Sequence, residues 1–450
     1  MAEITFCGAA DTVTGSKHLL ASNGKNVLLD CGLFQGIREI EALNYRPLPI
    51  KAGALDAIVI THGHVDHVGF LPKVVKDGFS GPIYCTPPTA AVIDIVLEDA
   101  AKLQVHHERR GFHVERHDTP PGLYDAGDVA RTLQHLVKVD PGKPFDVAGI
   151  SAIFRNAGHI IGSSFLEMQV EGKRLTFSGD LGRYGRPLLY DPATPGACDV
   201  VICESTYGDR IHPPEPQAEL AAALHDGIAR KGIIVIPAFA VERTQDMLYA
   251  IGCLQRTDAT IAAAPVHLDS PMAIKVDAVF EAFPDAFRHP PGAPPHDFGC
   301  RNLRVHNTPD ESKELNHLEG PAIIISSSGM INGGRVLYHL HRLLPDPSST
   351  VVLVGYQSTG TLGRILAGGA PSVRMMGDTV PVRAKIVSIG GFSAHADQNE
   401  LMQWLGQIGG KPRMYAVHGD PASATALVGL VKQKLGFDAN VAHRGETVAF

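Results

Sequence analysis

No two cysteines in this chain of 450 residues stand in C-x-x-C spacing, and the seven present, Cys7, Cys31, Cys85, Cys198, Cys203, Cys253 and Cys300, are odd in number and scattered. A disulfide framework and a Cys-rich zinc ribbon are thereby disfavoured, and the thiols read as reduced core residues. Long apolar runs are missing too. No stretch reaches about 18 apolar residues, and the opening MAEITFCGAADTVTGS has neither the basic start nor the apolar centre of a leader peptide. A cytoplasmic location with no membrane partner is the expectation. An excess of positive charge is also lacking, because 40 Lys and Arg face 47 Asp and Glu for a net −7. Such a chain cannot coat a polyanion by bulk electrostatics, so any contact of that kind must be local.

What is present is a recurrence of short, β-branched apolar runs, among them NVLLD, DAIVI, RLTFSGD, DVVICE, GIIVIPAF and PAIIISSSG, separated by helix-like stretches. This pattern predicts an α/β fold, and the length predicts two structural units. The runs at 26–30, 56–60, 175–180 and 200–204 each deliver a carboxylate or a Thr-His pair at the strand end, where such folds place chemistry. Residues 207–374 read as strand–helix units of their own, inserted between a first part at 1–206 and a closing part at 375–450. The proline-rich segment 284–299 must be irregular or extended.

The densest chemistry is THGHVDHVG at 61–69, directly after LDAIVI. His62, His64, Asp66 and His67 are candidate metal ligands, and imidazole is the commonest such ligand. Strand alternation sends His62 and His64 to one side, and the turn after them aims Asp66 and His67 at a neighbouring position, so one loop can serve two metals about 3.5–4 Å apart. Two sites need more ligands than this loop holds. His159 in NAGHIIGSS and Asp180 after RLTF follow downstream, the carboxylate at a strand end suited to bridging two ions.

In this order the motifs resemble the metallo-β-lactamase superfamily, with Asp30 of LLDCG as the first, the His cluster the second, His159 the third and Asp180 the fourth. The resemblance implies an αββα sandwich in which His62, His64 and His159 hold one zinc, Asp66 and His67 the other, and Asp180 bridges them. Asp30 would orient the His loop. Three further motifs are similar to the β-CASP branch, which carries an inserted α/β domain and processes nucleic acids: CESTYG with Glu204, GGFSAHADQNEL with His395, and YAVHGDP with His418. LDSPMA, SSGMINGGR and VGYQSTGTLGR extend the likeness to about residue 420.

By that resemblance the chain is a zinc-dependent ribonuclease, with manganese as the alternative ion and single-stranded RNA as the partner. Its cuts would be internal, with 5′-exonucleolytic removal as a second mode. Paired metals acidify a shared water for attack on phosphorus, with Asp66 part of that catalytic centre. His395 would protonate the departing ribose oxygen while Glu204 orients its ring. His418 would complete the second zinc site, and a His there goes with RNA rather than DNA substrates.

Phosphate contacts are expected from Ser393, and further from Ser328, Arg335 and Arg364, in a cleft between the two domains. ERTQ at 242–245 departs from family text, which has Gly before that Arg. The stretch 106–117, HHERRGFHVERH, reads as a solvated helix face and loop, with an RNA-touching strip or a regulatory metal trap as alternatives. No single-stranded-RNA module such as a KH domain is recognisable, and a homodimer is compatible with the resemblance. Other readings stay open: a small-molecule hydrolase acting on a thioester, lactone or β-lactam, a DNA nuclease, and a catalytically dead scaffold subunit. The inserted domain with Glu204, His395 and His418 argues against the first, His418 against the second, and the full ligand set against the third.

Overall fold

A computed structural model describes residues 1–109, 122–288, 298–358 and 360–450. Of the 106–117 stretch, only helical backbone as far as Arg109 falls within the described residues; of the proline-rich segment, a 3-10 turn at Pro284–Ala286 does. The chain divides into two compact units, Met1–Ile211 with His395–Phe450, and His212–Ala394. Residues 375–394, expected in the returning part of the first domain, thus belong to the inserted unit. The reason is register: Lys385–Ser388 pairs in parallel with Thr350–Leu353 and completes the inserted sheet.

The first unit has two seven-stranded sheets. One runs in the order Thr447–Ala449, Glu3–Gly8, Lys17–Ser22, Lys25–Leu29, Ala57–Val59, Ile83–Cys85, Leu136–Lys138. The other runs Asp438–Val441, Arg413–Val417, Val200–Glu204, Lys173–Phe177, Ser164–Val170, Ile150–Asn156, Pro144–Val147. Ile4, Phe6, Val27, Leu29 and Val59 of the first sheet pack with Phe154, Leu166, Phe177, Ile202 and Tyr415 of the second in one core. Strand alternation explains the layers, because successive side chains point to opposite faces. Val200 and Ile202 enter the core between the sheets, whereas Val201 and Cys203 join Trp404, Leu405, Leu427 and Val431 of the helices Gln398–Gly406 and Pro421–Leu435. With both faces covered, Val200–Glu204 is buried throughout and reads as an unbroken apolar run. Ile150–Asn156 alternates, since one of its faces is more open. Leu28, Ile58 and Ile83 are buried on the opposite face of the first sheet, the side served by Leu71–Lys76, Pro87–Arg109 and Ala126–Leu133. The layering is αββα.

The second unit is built on a parallel six-stranded sheet in the order Leu303–Val305, Val266–Asp269, Ala322–Ser326, Ile233–Pro237, Thr350–Leu353, Lys385–Ser388, with a separate antiparallel pair Ser372–Met375 and Asp378–Pro381. Its central runs IIVIP and AIIIS are wholly buried, as a sheet with both faces covered requires. Five cysteines are buried, Cys7 and Cys253 are partly exposed, and all seven are free thiols. Among the described residues no helix is long and apolar enough to cross a membrane.

Candidate metal centre and acid–base pair

Most of the motifs sit at or just past the end of a strand of the first unit, His395 excepted, which follows the last strand of the second. Ala57–Val59 leads into Thr61 and His62, Lys173–Phe177 into Asp180, Val200–Glu204 ends on Glu204, and Arg413–Val417 delivers His418. Two close backbone approaches bring the loops together. A Cβ on Gly32 would lie 1.5 Å from the Asp66 carbonyl oxygen, and one on Gly182 would lie 1.7 Å from that of Gly158, so only glycine fits at either point. The first approach locks the Asp30 turn to the His cluster; the second locks the loop after Asp180 to the turn holding His159.

His62 Nε2 and His159 Nε2 lie 3.1 and 3.2 Å from His64 Nδ1. Asp180 Oδ2 is 3.5 Å from His62 Nε2, 3.6 Å from His159 Nε2 and 3.3 Å from His67 Nε2. On the other side, His418 Nε2 is 3.2 Å from His67 Nε2 and 3.5 Å from Asp66 Oδ2. The ligand-type atoms thus form sets, His62, His64, His159 and Asp180 in one, Asp66, His67 and His418 in another, each within 4.8 Å. A third set joins Asp180 to His395 and His418, so Asp180 is common to both sides.

Electrostatics bear on whether a cation fits. Burial, reinforced by neighbouring imidazoles, holds His62 and His159 well below the ordinary histidine range and brings His64 down to about 4, so these rings are neutral and offer lone pairs. Burial opposes the charge on Asp180, yet the surrounding imidazoles hold its carboxyl well below the usual range, and its Oδ1 has no hydrogen-bond partner. Neutral imidazole nitrogens converging on an ionised buried carboxylate suit a divalent ion. Tetrahedral zinc with Zn–N about 2.0–2.1 Å would separate its nitrogens by about 3.3 Å, close to the spacing found. His67 behaves oppositely: burial works against its charge, but Asp180 and Asp30 raise its pKa well above normal, marking a place that attracts positive charge.

Asp30 organises the His loop. Its Oδ2 accepts from His67 Nδ1 at 2.7 Å and from Ser16 Oγ at 3.1 Å, while Oδ1 accepts from Thr61 N at 2.9 Å and Thr61 Oγ1 at 3.0 Å. Thr61 Oγ1 is also 3.1 Å from His62 Nδ1, and having given its proton to Asp30 it receives the ring's. Asp30 adopts φ +56 and His418 φ +48, left-handed conformations that Asp and His tolerate better than most residues.

His395 is held between two segments. Gly182 forms a β-bridge to His395 and Tyr207 one to Asp397, and Ala396 N donates to Leu181 O at 2.8 Å. His395 Nδ1 lies 3.1 and 3.2 Å from the two oxygens of Glu204 and 3.9 Å from Asp180 Oδ2. Burial disfavours its charge, but Glu204 and Asp180 outweigh that and push the ring up to about 9. Glu204 is itself buried, with Oε1 accepting from Leu181 N at 2.7 Å.

The expected phosphate contacts fall in the second unit. Ser393 is buried, and Ser328 Oγ accepts from Asn332 N at 3.0 Å within its own turn. Arg335 differs from expectation: its guanidinium donates to Asp269 Oδ1 at 2.6 Å and to the carbonyls of His306 and Asn307 at 2.9 and 2.8 Å, so it ties loops together. Asp269 also takes His339 Nε2 at 2.6 Å. Arg364 is exposed. Glu242, where family text has glycine, takes φ +70, a backbone state that glycine adopts freely.

Sequence reading missed Ser16 and Thr206 and gave Thr61, noted only as part of a Thr-His pair, no role of its own, because such hydroxyls are too common to signal one. It also missed Lys17, a buried cation over the Phe34 and Phe70 rings at 4.2 and 4.8 Å that donates to Gly32 O at 2.5 Å. Burial brings that amine down to about 8.

Residues 14–233 match the metallo-beta-lactamase superfamily, residues 244–366 the Beta-Casp domain, and residues 379–442 the Zn-dependent metallo-hydrolase RNA specificity domain. The chain is 39% identical to Ribonuclease TTHA0252 of Thermus thermophilus over 98% of both chains. It is 30% identical to the transcription termination factors FttA of Methanosarcina mazei and Pyrococcus abyssi, covering 99% of this chain and 71% of each relative. A crystal structure of a protein of unknown function from Enterococcus faecalis V583 aligns over the whole of both chains with TM-score 0.53 at 13% identity, a likeness of fold alone.

Proposed function

Since the chain belongs to the β-CASP branch of the metallo-β-lactamase superfamily, whose members include metal-dependent hydrolases acting on RNA, we propose that it is a zinc-dependent ribonuclease that cuts single-stranded RNA internally. The observation that carries this reading is the Glu204–His395 pair, 3.1 Å apart and beside the carboxylate shared by two sets of metal-ligand atoms. A thioester hydrolase, whose thiolate leaves without help, has no need of a buried, carboxylate-held imidazole next to its metals, whereas the strongly basic alkoxide expelled from a phosphodiester does.

His62, His64, His159 and Asp180 would hold one ion and Asp66, His67 and His418 the other, with Asp180, 3.3 Å from His67 Nε2, within reach of that side too. Nitrogen and oxygen donors of borderline softness favour zinc, with manganese as the alternative. When bound, the ions supply an acidified water and positive charge for the phosphoryl oxygens. The chain's own residues do the rest. Glu204 engages His395 Nδ1, so the proton delivered to the ribose oxygen is the one on Nε2. Asp30 and Thr61 keep His67 and His62 in the tautomers that present Nε2 to the ions. Ser393 is the proposed phosphate contact, with Arg364 as a further candidate.

The test uses 5′-labelled single-stranded RNA, wild-type protein and the His395→Ala variant, with zinc measured on the same samples. Wild type should hold two zincs and cut, and the variant should keep its zinc while losing about 10²–10⁴-fold in rate. The 5′ label separates internal cuts from removal of single nucleotides. A zinc-loaded wild type that cuts DNA but not RNA, or only thioesters and lactones, would replace this reading.

A further inference from the structure

We propose that Thr206 is a positioning residue that aims His418 at the second cation, by accepting the Nδ1 proton and leaving Nε2 as the ligand atom. The proposal rests on the reading of Asp66, His67 and His418 as a set that holds a metal.

The juxtaposition follows from register. Val200–Glu204 and Arg413–Val417 run parallel with Glu204 opposite Val417, so the residues just beyond, Ser205 and Thr206 after one strand and His418 after the other, emerge side by side. Ser205 Oγ donates to Val417 O at 2.7 Å and Ser205 N donates to His418 O at 3.2 Å, which clamps the two strand ends. Buried Thr206 then meets His418 twice: Oγ1 is 3.0 Å from the carbonyl oxygen and 3.1 Å from ring Nδ1.

A hydroxyl has one proton. The carbonyl can only accept, so that proton goes to His418 O, and the hydroxyl lone pair receives Nδ1–H. The other neighbour of Nδ1, Asp180 Oδ1, is farther at 3.5 Å. Nε2 is then unprotonated and faces His67 Nε2 and Asp66 Oδ2 at 3.2 and 3.5 Å. The same device recurs at the first site, where Thr61 Oγ1 donates to Asp30 and accepts from His62 Nδ1. Two threonines at two strand ends thus set one imidazole each, a task usually given to carboxylates or carbonyls. Thr206 N also donates to Glu204 Oε2 at 3.3 Å, so one residue touches both the metal ligand and the carboxylate behind His395.

The experiment measures zinc content and chelator-competition affinity of full-length wild type, Thr206→Val and Thr206→Ser, with thermal unfolding alongside. Nitrogen NMR of zinc-loaded, ¹⁵N-histidine-labelled wild type reads the His418 tautomer. Wild type should bind two zincs, the valine variant should weaken the second by about 10–100-fold, and serine should restore it. His418 should carry its proton on Nδ1. Unchanged second-zinc affinity in Thr206→Val, a serine variant as weak as valine, or a proton on Nε2 would each overturn the proposal. Should valine fail to fold, the serine variant and the wild-type spectrum decide. Fewer than two zincs on the wild type would instead bring down the reading of the metal centre, and this proposal with it.

Discussion

The His395 imidazole is the side chain on which solution pH should act most visibly. Burial alone would lower its pKa, but Glu204 and Asp180 raise it to about 9. A general acid works only while it carries its proton, so cleavage should hold a plateau below that value and fall as pH rises through it. Glu204→Gln removes the chief source of the raised pKa. The alkaline limb should then move to lower pH, and the rate near pH 9 should fall more than the rate near pH 6, as a pH–rate profile of both proteins would record; an unmoved limb would remove Glu204 from this role. The metal-type side chains were legible because four fell within one loop and the others followed in family order. Hydroxyls that set the rings were not, because a threonine after a strand is ordinary until the partner strand brings a histidine beside it.

Single elements are held in place by glycines whose neighbours decide the outcome of substitution. Gly32→Ala would drive a Cβ into the Asp66 carbonyl, displacing the loop that carries His67, and should cost roughly 1–3 kcal/mol or more together with bound zinc. Gly429, exposed within the helix Pro421–Leu435, has nothing within 4 Å of such a Cβ, and alanine there should stabilise by about 0.5–1 kcal/mol. Thermal unfolding of the two variants should move in opposite directions, and equal shifts would refute the packing argument. The strands were readable from β-branched runs, and their ends from the carboxylates that follow. The end of the inserted unit was not, because Lys385–Ser388 looks like any short strand and only pairing with Thr350–Leu353 assigns it.

For the molecule as a whole, metal and net charge set two further expectations. Zinc that binds only the folded chain adds to its stability, so chelation should lower the melting temperature and zinc should restore it. Acid should weaken the same binding, because the imidazoles must be neutral to ligate; a zinc-independent melting temperature would exclude a tightly held ion. With a charge of −7, RNA binding should depend only weakly on salt, at a log–log slope no steeper than about −3. A steeper slope would reveal a broad basic surface that the composition does not suggest.

The ligand-type residues come from both sides of the insertion, His62 before it and His395 and His418 after it. A chain emerging from the ribosome N-terminus first therefore exposes its early histidines while their counterparts are still untranslated. A metal centre built in this order should assemble only once the segment carrying His418 has been made, so zinc should not be taken up fully by a chain halted before it.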